Sequence, residues 1–323
     1  MALAATALNA VAAQAARSVP PFVSVIVPAR NEEQAVSACI ESLLRQDYPK
    51  DRYELIMVDN DSTDGTAARI KAYPVTYVFE RAGHSAAAAR NRGLQEASGE
   101  ILAFTDADCV AAPSWLRHGV AGFADAQIGS VAGDIHGYPP ETTAQRYVEE
   151  RRALSQAWAM TEAFRPYAQT ASAFYRTSVL DRIGTFDPVL KVGEDADLAW
   201  RMQERLGLQV AFRPESVVFH KHPETIRELL RQRRGYGYSS VVLYLRYQER
   251  MERWTLKHTY WNVRSLAKRM GRLAEAAGRC AVSSLRGRGN WEVVVMAWLD
   301  VCVYLSWKLG QLQGSIRHRV WYV

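Results

Sequence analysis

Short apolar runs that end in proline or carboxylate residues alternate along the first two thirds of the chain with stretches of helical periodicity. Residues 22–27 form a β-branched run closed by Pro28, as a buried strand requires. Residues 33–46 then place Val36, Ile40, Leu43 and Leu44 on one helical face before the breaker Asp47-Tyr48-Pro49. The pattern repeats with a strand at 53–58, a short helix reaching Ala72 with Ser62 or Thr63 as its cap, a strand at 75–79, a helix of small residues at 86–97 and a strand from Ile101. This rhythm predicts an α/β fold with a parallel, doubly wound sheet. Further on it predicts a helix over 115–123, a strand over 128–132, one long charged helix over 142–164, a strand over 171–176, a short helix over 178–183, and two strands, 210–212 and 217–219.

Carboxylates collect where these strands stop. Residues 101–108 read Ile-Leu-Ala-Phe-Thr-Asp-Ala-Asp; if the extended geometry persists, Asp106 and Asp108 point the same way, toward one cation or hydroxyl pair. The strand ending at Val58 delivers Asp59, Asp61 and Asp64, more acid than a helix cap needs. Glu194 and Asp195 follow a glycine in a turn, and Asp197 complements the dipole of the helix they open. The strand at 217–219 leads to His220 and His222, and Gly83-His84-Ser85 opens a helix that carries Arg90 and Arg92, an arrangement suited to a diphosphate.

Composition sharpens this picture. The 323 residues are 48% hydrophobic, enough for one large domain and an appendage. Through His220 there are 21 Lys+Arg against 27 Asp+Glu, a net of −6; from Lys221 onward there are 19 against 7, a net of +12, which together give the chain's +6. Acid therefore gathers around the proposed site, and the basic tail calls for an anionic partner: phosphate, lipid head groups or nucleic acid. Cys39, Cys109, Cys280 and Cys302 are far apart and form no Cys-x-x-Cys pair, which indicates neither a zinc site nor a disulfide framework and fits a reducing compartment. The Ala-rich residues 1–17 lack a basic leader and read as a frayed or loosely docked helix.

The ordered motifs Val27-Pro28-Ala29-Arg30-Asn31-Glu32, residues 58–66 (Val-Asp-Asn-Asp-Ser-Thr-Asp-Gly-Thr), Ala89-Arg90-Asn91-Arg92-Gly93, residues 104–108 (Phe-Thr-Asp-Ala-Asp), Gly184-Thr185-Phe186-Asp187 and Gly193-Glu194-Asp195 resemble the inverting family 2 glycosyltransferases of GT-A fold, over about residues 23–234. The resemblance implies a Rossmann-like, mostly parallel central sheet flanked by helices, divided as an N-terminal segment (1–20), a glycosyltransferase domain (21–234) and a helical basic extension (235–323). It assigns Pro28, Ala29, Arg30, Glu32, Asp59, Asn60 and Asp61 to the nucleoside pocket, with Arg90, Asp106 and Ala107 toward the donor. Asp108 and His220 would hold a divalent cation, Mn²⁺ or Mg²⁺, with His222 as a weaker substitute for His220. Asp195 would be the base, with Glu194 beside it. Arg231 and Arg234, followed by Gly235 and Gly237, resemble a mobile gating loop over the donor diphosphate. The implied partners are a nucleoside-diphosphate sugar and a glycan or lipid-linked acceptor, with no role for nucleic acid. One departure is Asn60, which stands where the family usually has the second acid of an Asp-Asp pair; an aspartate there would accept the imide proton of uracil, whereas an amide both donates and accepts.

The chemistry of displacement asks for the same residues. Negative charge builds on the leaving oxygen and calls for a cation on hard carboxylate ligands, while a sugar hydroxyl needs a carboxylate to take its proton. Two other functions fit parts of the pattern. A nucleotidyltransferase would carry a Gly-rich basic loop where Pro28-Ala29-Arg30-Asn31-Glu32 stands, and a binding protein without turnover would not need both carboxylate sets.

The tail adds a location. Arg264, Lys268, Arg269, Arg272 and Arg279 among Leu266, Met270 and Leu273 make a basic amphipathic segment, and residues 293–309 form an apolar run interrupted by Asp300. The run is shorter than a spanning helix, so a peripheral or monotopic position on the cytoplasmic face of a membrane is expected, with a soluble cytoplasmic protein as the alternative. Trp291, Val295, Trp298, Cys302, Leu305, Leu309 and Leu312 also recur at the spacing of a helix that packs on its own domain or on a second copy.

Overall fold

The computed structural model describes residues 19–83, 85–285 and 289–322; the expected helix over residues 1–17 lies outside the described residues. Strands β1 (Val23–Ala29), β2 (Tyr53–Asp59), β3 (Thr76–Phe79), β4 (Ile101–Phe104), β5 (Cys109–Ala111), β6 (Ile128–Gly137), β7 (Ala173–Arg176) and β8 (Gln209–His220) form one sheet. Around it run α1 (Val36–Leu44), α2 (Thr66–Lys71), α3 (Ala86–Leu94), α4 (Trp115–Ala121), α5 (Thr143–Glu150), α6 (Gln156–Thr161), α7 (Thr177–Ile183) and α8 (Glu194–Leu206). The chain then continues through three long helices, α9 (Ile226–Tyr247), α10 (Leu256–Ser284) and α11 (Trp291–His318).

The sheet order is β3-β2-β1-β4-β7-β6-β8-β5. The first four strands are parallel, as the strand-helix rhythm predicts; β7 pairs antiparallel with β4 and β6, and β5 antiparallel with β8. The inner parallel strands β1, β2 and β4 are buried on both faces, whereas β3 is the half-exposed edge. Val23, Val25 and Val27 pack on one side with Val36, Ile40 and Leu43 of α1, while Ile26 turns to the other side, where α3 comes so close that a Cβ on Gly93 would sit 2.6 Å from its Cγ2. The C-terminal ends of β1, β2 and β4 consequently lie side by side, which is where open α/β sheets present ligands.

Three elements differ from the sequence expectation. The helix over 142–164 is two helices: Thr142 caps α5 in a capping box, Arg152 adopts a left-handed φ of 45°, and Ser155 caps α6 by accepting from the Trp158 N–H. The strands at 210–212 and 217–219 are one strand, β8, whose register against β6 jumps between Gly133/Arg213 and Asp134/Val217 as a bulge. The helix after the Asp59 loop starts later than its serine and threonine suggest. Gly65 holds its N-cap position, and the Asp64 carboxylate accepts from both the N–H and the hydroxyl of Thr66.

Candidate active site

The loops after β1 and β2 are zipped together. Asn31, in a left-handed conformation (φ 57°), accepts from the Thr63 N–H at 2.8 Å and donates its own N–H to Ser62 Oγ at 3.1 Å; Glu32 N–H donates to Thr66 Oγ1 at 2.8 Å. Ser62 and Thr63 thus join two loops and do not cap a helix. Pro28 and Ala29 end β1 against this loop, with Arg30 exposed at its tip. Asp59 is buried, accepting from Tyr77 Oη and the Ser62 N–H, and the neighbouring Asp61 takes a left-handed φ of 57°. Asn60 is also buried; its Nδ2 donates to the Ser85 carbonyl at 3.2 Å, which leaves Oδ1 turned away from that anchor and without a protein partner.

Beyond β4 the chain turns and does not stay extended, so Asp106 and Asp108 take different partners across the buried Ala107. Asp106 Oδ1 accepts from Arg90 Nη2 at 2.7 Å, and Asp108 Oδ2 lies 3.5 Å from His220 Nε2. Arg90 is nearly fully buried and reaches Glu194 Oε1 with its other nitrogen at 2.8 Å. The expectation that Arg90 offers itself to a diphosphate is therefore corrected: its guanidinium is held between two carboxylates from distant parts of the chain. Of the donors at the start of α3, the Ala88 N–H is taken by Ser85 Oγ, and His84 lies outside the described residues.

Gly193 opens α8 at a φ of 83°, which puts Glu194 and Asp195 at the helix start facing the β4 turn. Burial, with Glu194 beside it, pushes Asp195 up to about 7. Burial together with Asp108 pushes Glu32 up to about 7 as well. Asp197 belongs to the core: it is fully buried, and it pairs with Arg201 at 2.8 Å and Arg246 at 2.7 Å and accepts from Tyr247 Oη at 2.9 Å.

Arg231 and Arg234 do not lie on a loop. Both sit on the continuous helix α9, where Arg234 Nε donates to Gln313 Oε1 of α11 at 2.8 Å. Gly237 lets two helices touch, since a Cβ on it would meet the Trp307 carbonyl at 2.0 Å and one on Gly310 of α11 the Arg234 carbonyl at 2.0 Å, whereas Gly235 has nothing within 4 Å. On the same helix the Arg233 guanidinium lies 5.4 Å from the Tyr236 ring; burial foremost, opposed by Arg233 and aided by the charges of Asp195, Asp106 and Glu194, pushes the Tyr236 phenol up to about 12. Tyr167 also feels Asp195. Neither tyrosine is marked by any sequence motif, because only the packing of α9 and of the segment after α6 brings them to the site.

The residues around Asp108 suit a divalent cation. Its carboxylate is raised by burial, opposed by His220, and the buried Nδ1 of His220 has no protein partner. One donor atom each from Asp108, Cys109 and His220 lies within 4.8 Å of the others. His222 turns elsewhere, with Nε2 3.4 Å from Glu149 Oε2.

Residues 24–186 match the family model described as glycosyl transferase family 2. The chain belongs to that family. It is 30% identical over 237 residues to the glycosyltransferase AglE of Haloferax volcanii, covering 70% of this chain and 75% of that one. It is 24% identical to the pre-mycofactocin glycosyltransferase of Mycobacterium tuberculosis, over 92% of this chain and 67% of that one. Among solved structures, the mannosyltransferase PcManGT of Pyrobaculum calidifontis, in complex with GDP-Man and Mn²⁺, superposes with a TM-score of 0.62 at 22% identity, covering 91% of this chain and 88% of that one. Glucosyl-3-phosphoglycerate synthase of M. tuberculosis, in complex with Mn²⁺, UDP-Glc and phosphoglyceric acid, superposes with a TM-score of 0.53 at 24% identity, covering 70% of this chain and 79% of that one. The fold of this glycosyltransferase is therefore GT-A, and its carboxylates gather where the parallel strands end.

Proposed function

We propose that the protein is a metal-dependent, inverting glycosyltransferase that moves a sugar from a nucleoside diphosphate to a hydroxyl of a glycan or lipid-linked acceptor. The observation that carries this reading is the opposition of two carboxylate centres: Asp108 beside His220 after β4, and Asp195 at the head of α8, tied to each other through the Asp106-Arg90-Glu194 bridge. Asp108 and His220 would hold the cation, Mn²⁺ or Mg²⁺, which neutralises charge on the departing diphosphate. Asp195 accepts the proton of the attacking hydroxyl, a step for which a carboxylate near neutrality is well matched. The acceptor oxygen bonds to the anomeric carbon as the bond to the phosphate oxygen breaks, and a single displacement inverts the configuration. Arg90 holds Glu194 in an ion pair at 2.8 Å, which leaves Asp195 as the carboxylate of the pair that meets the acceptor.

Asn60 supports a UDP-sugar. With Nδ2 anchored on the Ser85 carbonyl, the buried Oδ1 is left without a protein partner, and an amide oxygen is an acceptor suited to the imide N–H of uracil. Both solved relatives contain Mn²⁺, one with GDP-Man and the other with UDP-Glc, so the deciding experiment is a panel of UDP-, GDP- and dTDP-sugars with Mn²⁺ or Mg²⁺, reading release of the nucleoside diphosphate. Release from a UDP-sugar is expected; nucleotide uptake without release from any donor would leave a binding protein.

The position we propose is peripheral, on the cytoplasmic face of a membrane. α11 is long and apolar enough to cross a membrane by length and composition, with a mean hydropathy of 1.5 in its most apolar stretch. It is instead laid along α9, and Asp300 is drawn to the protein side by Arg151 at 2.9 Å and Tyr147 Oη at 3.1 Å. That leaves Trp291, Val295, Trp298, Leu305, Leu309 and Leu312 exposed as a stripe without a charge in it, beside the basic helix α10. An interfacial helix has this distribution.

A further inference from the structure

The cation site contains a donor that the reading above leaves idle. β5 pairs with β8 so that Cys109 lies directly opposite His220, and directly opposed residues project to the same face with Cβ atoms about 4.5–5.5 Å apart. The Cys109 sulfur is 3.8 Å from Asp108 Oδ1, and Asp108 Oδ2 is 3.5 Å from His220 Nε2. The two contacts run to different oxygens of Asp108, but one donor atom from each of the three residues lies within 4.8 Å of the others. Closing them around one ion, at about 2.3 Å to sulfur and about 2.0–2.2 Å to nitrogen and oxygen, therefore asks for side-chain adjustment and no change in strand pairing. A set of one carboxylate, one thiol and one imidazole is not the all-oxygen set that Mg²⁺ prefers; sulfur and imidazole together select a softer ion such as Zn²⁺.

We propose that Cys109 is a third protein ligand for thiophilic divalent cations, so that Zn²⁺ takes this site in preference to Mn²⁺ or Mg²⁺ and inhibits transfer. The proposal rests on Asp108 and His220 being the cation ligands. Zn²⁺ binding replaces the sulfur-proton bond with a sulfur-zinc bond and releases the proton to solvent, with no change of oxidation state. Inhibition follows from coordination number. A tetrahedral ion already held by three protein atoms keeps one open position, whereas bridging the two phosphates of a donor takes two. Mn²⁺ or Mg²⁺, held by Asp108 and His220 without the thiol, would keep more positions open for the donor.

The test uses the full-length protein and needs no turnover. Titration with Co²⁺ should give a near-ultraviolet thiolate-to-cobalt charge-transfer band in the unmodified protein and none in Cys109→Ser. Calorimetric titrations with Zn²⁺ and with Mn²⁺ should show the ratio of the two dissociation constants narrowing by about tenfold or more in Cys109→Ser. Absence of the band from the unmodified protein overturns the proposal whatever the variant does, and so does an unchanged Zn²⁺-to-Mn²⁺ ratio. A protein that shows the band but releases no nucleoside diphosphate from any sugar donor retains the thiol ligand and loses the transferase reading, so the two fail separately.

Discussion

Asp195 carries the sharpest consequence at the scale of single residues. Its folded value is raised to about 7, so the base form is lost as pH falls through that value. Transfer should rise with pH up to about 7 and then level off, and Asp195→Asn should lower kcat by roughly 10²- to 10⁴-fold while nucleotide affinity is kept. A pH-rate profile of the unmodified protein and a nucleotide titration of the variant check both statements. Arg90→Ala should behave differently, because it strips the partner from Glu194 and Asp106 together and should cost about 3–5 kcal/mol of stability, read as a lower denaturation midpoint. The contrast also shows what a sequence can carry at this scale. The acids announced themselves by standing at strand ends, but Arg90 meets partners 16 and 104 residues away, and no local pattern says that its charge is already satisfied. Asp197 deceived for the same reason: its position at a helix start fits a dipole, and only the fold brings Arg246 to it. Spacing along the chain gives no sign of Cys109 as a ligand, because its neighbour His220 arrives through strand pairing.

Elements were legible where one periodicity governed them. The four parallel strands and their helices follow directly from alternating apolar runs, whereas the broken helix α5–α6 was hidden because both halves share a composition and the break rests on two caps and one left-handed residue. α9 was misjudged in the other direction. Gly235 and Gly237 weaken an isolated helix by about 1 kcal/mol each, but α11 lies against this one and uses Gly237 as the point of approach. Two results follow. Arg234→Ala should leave donor affinity within about twofold, since the guanidinium holds Gln313 and not a loop over the donor; isothermal titration with the nucleotide reads this. Gly310→Val should do more damage from further away. Its side chain would collide with the Arg234 carbonyl, part α9 from α11 at a cost of about 1–3 kcal/mol and shift Tyr236, so both the melting temperature and transfer should fall together.

The division of charge, −6 before Lys221 and +12 after it, has a spatial meaning in the whole molecule. The acidic part builds the carboxylate site at the sheet's end, and the excess of positive charge lies on α9 (five Arg against Glu228) and α10 (six Lys+Arg against Glu275), while α11 is neutral, with Lys308 and Arg317 against Glu292 and Asp300. The sequence could say that the tail is basic and amphipathic; it could not say which face of α11 is spent on the protein. The apolar repeat that looked suited to packing against the domain is in large part the exposed face, and Met296, Leu299, Gly310 and Gly314 on the other side make the contact. The exposed tryptophans and leucines and the exposed arginines of α10 together should bring the full chain to the surface of anionic vesicles and much less to neutral ones, with binding weakened as salt is raised, because the Debye length shortens to about 3 Å at 1 M. Vesicle flotation with phosphatidylserine-containing and phosphatidylcholine-only liposomes measures it. Replacing Trp298 and Leu305 by Glu should abolish flotation, since 44% of Trp298 and 47% of Leu305 are exposed on this stripe, while the release of nucleoside diphosphate with a soluble acceptor stays in place. A protein that ignores anionic liposomes and elutes as a dimer, with the same two substitutions restoring a monomer, would assign the stripe to a second copy of the chain and remove the membrane from the account.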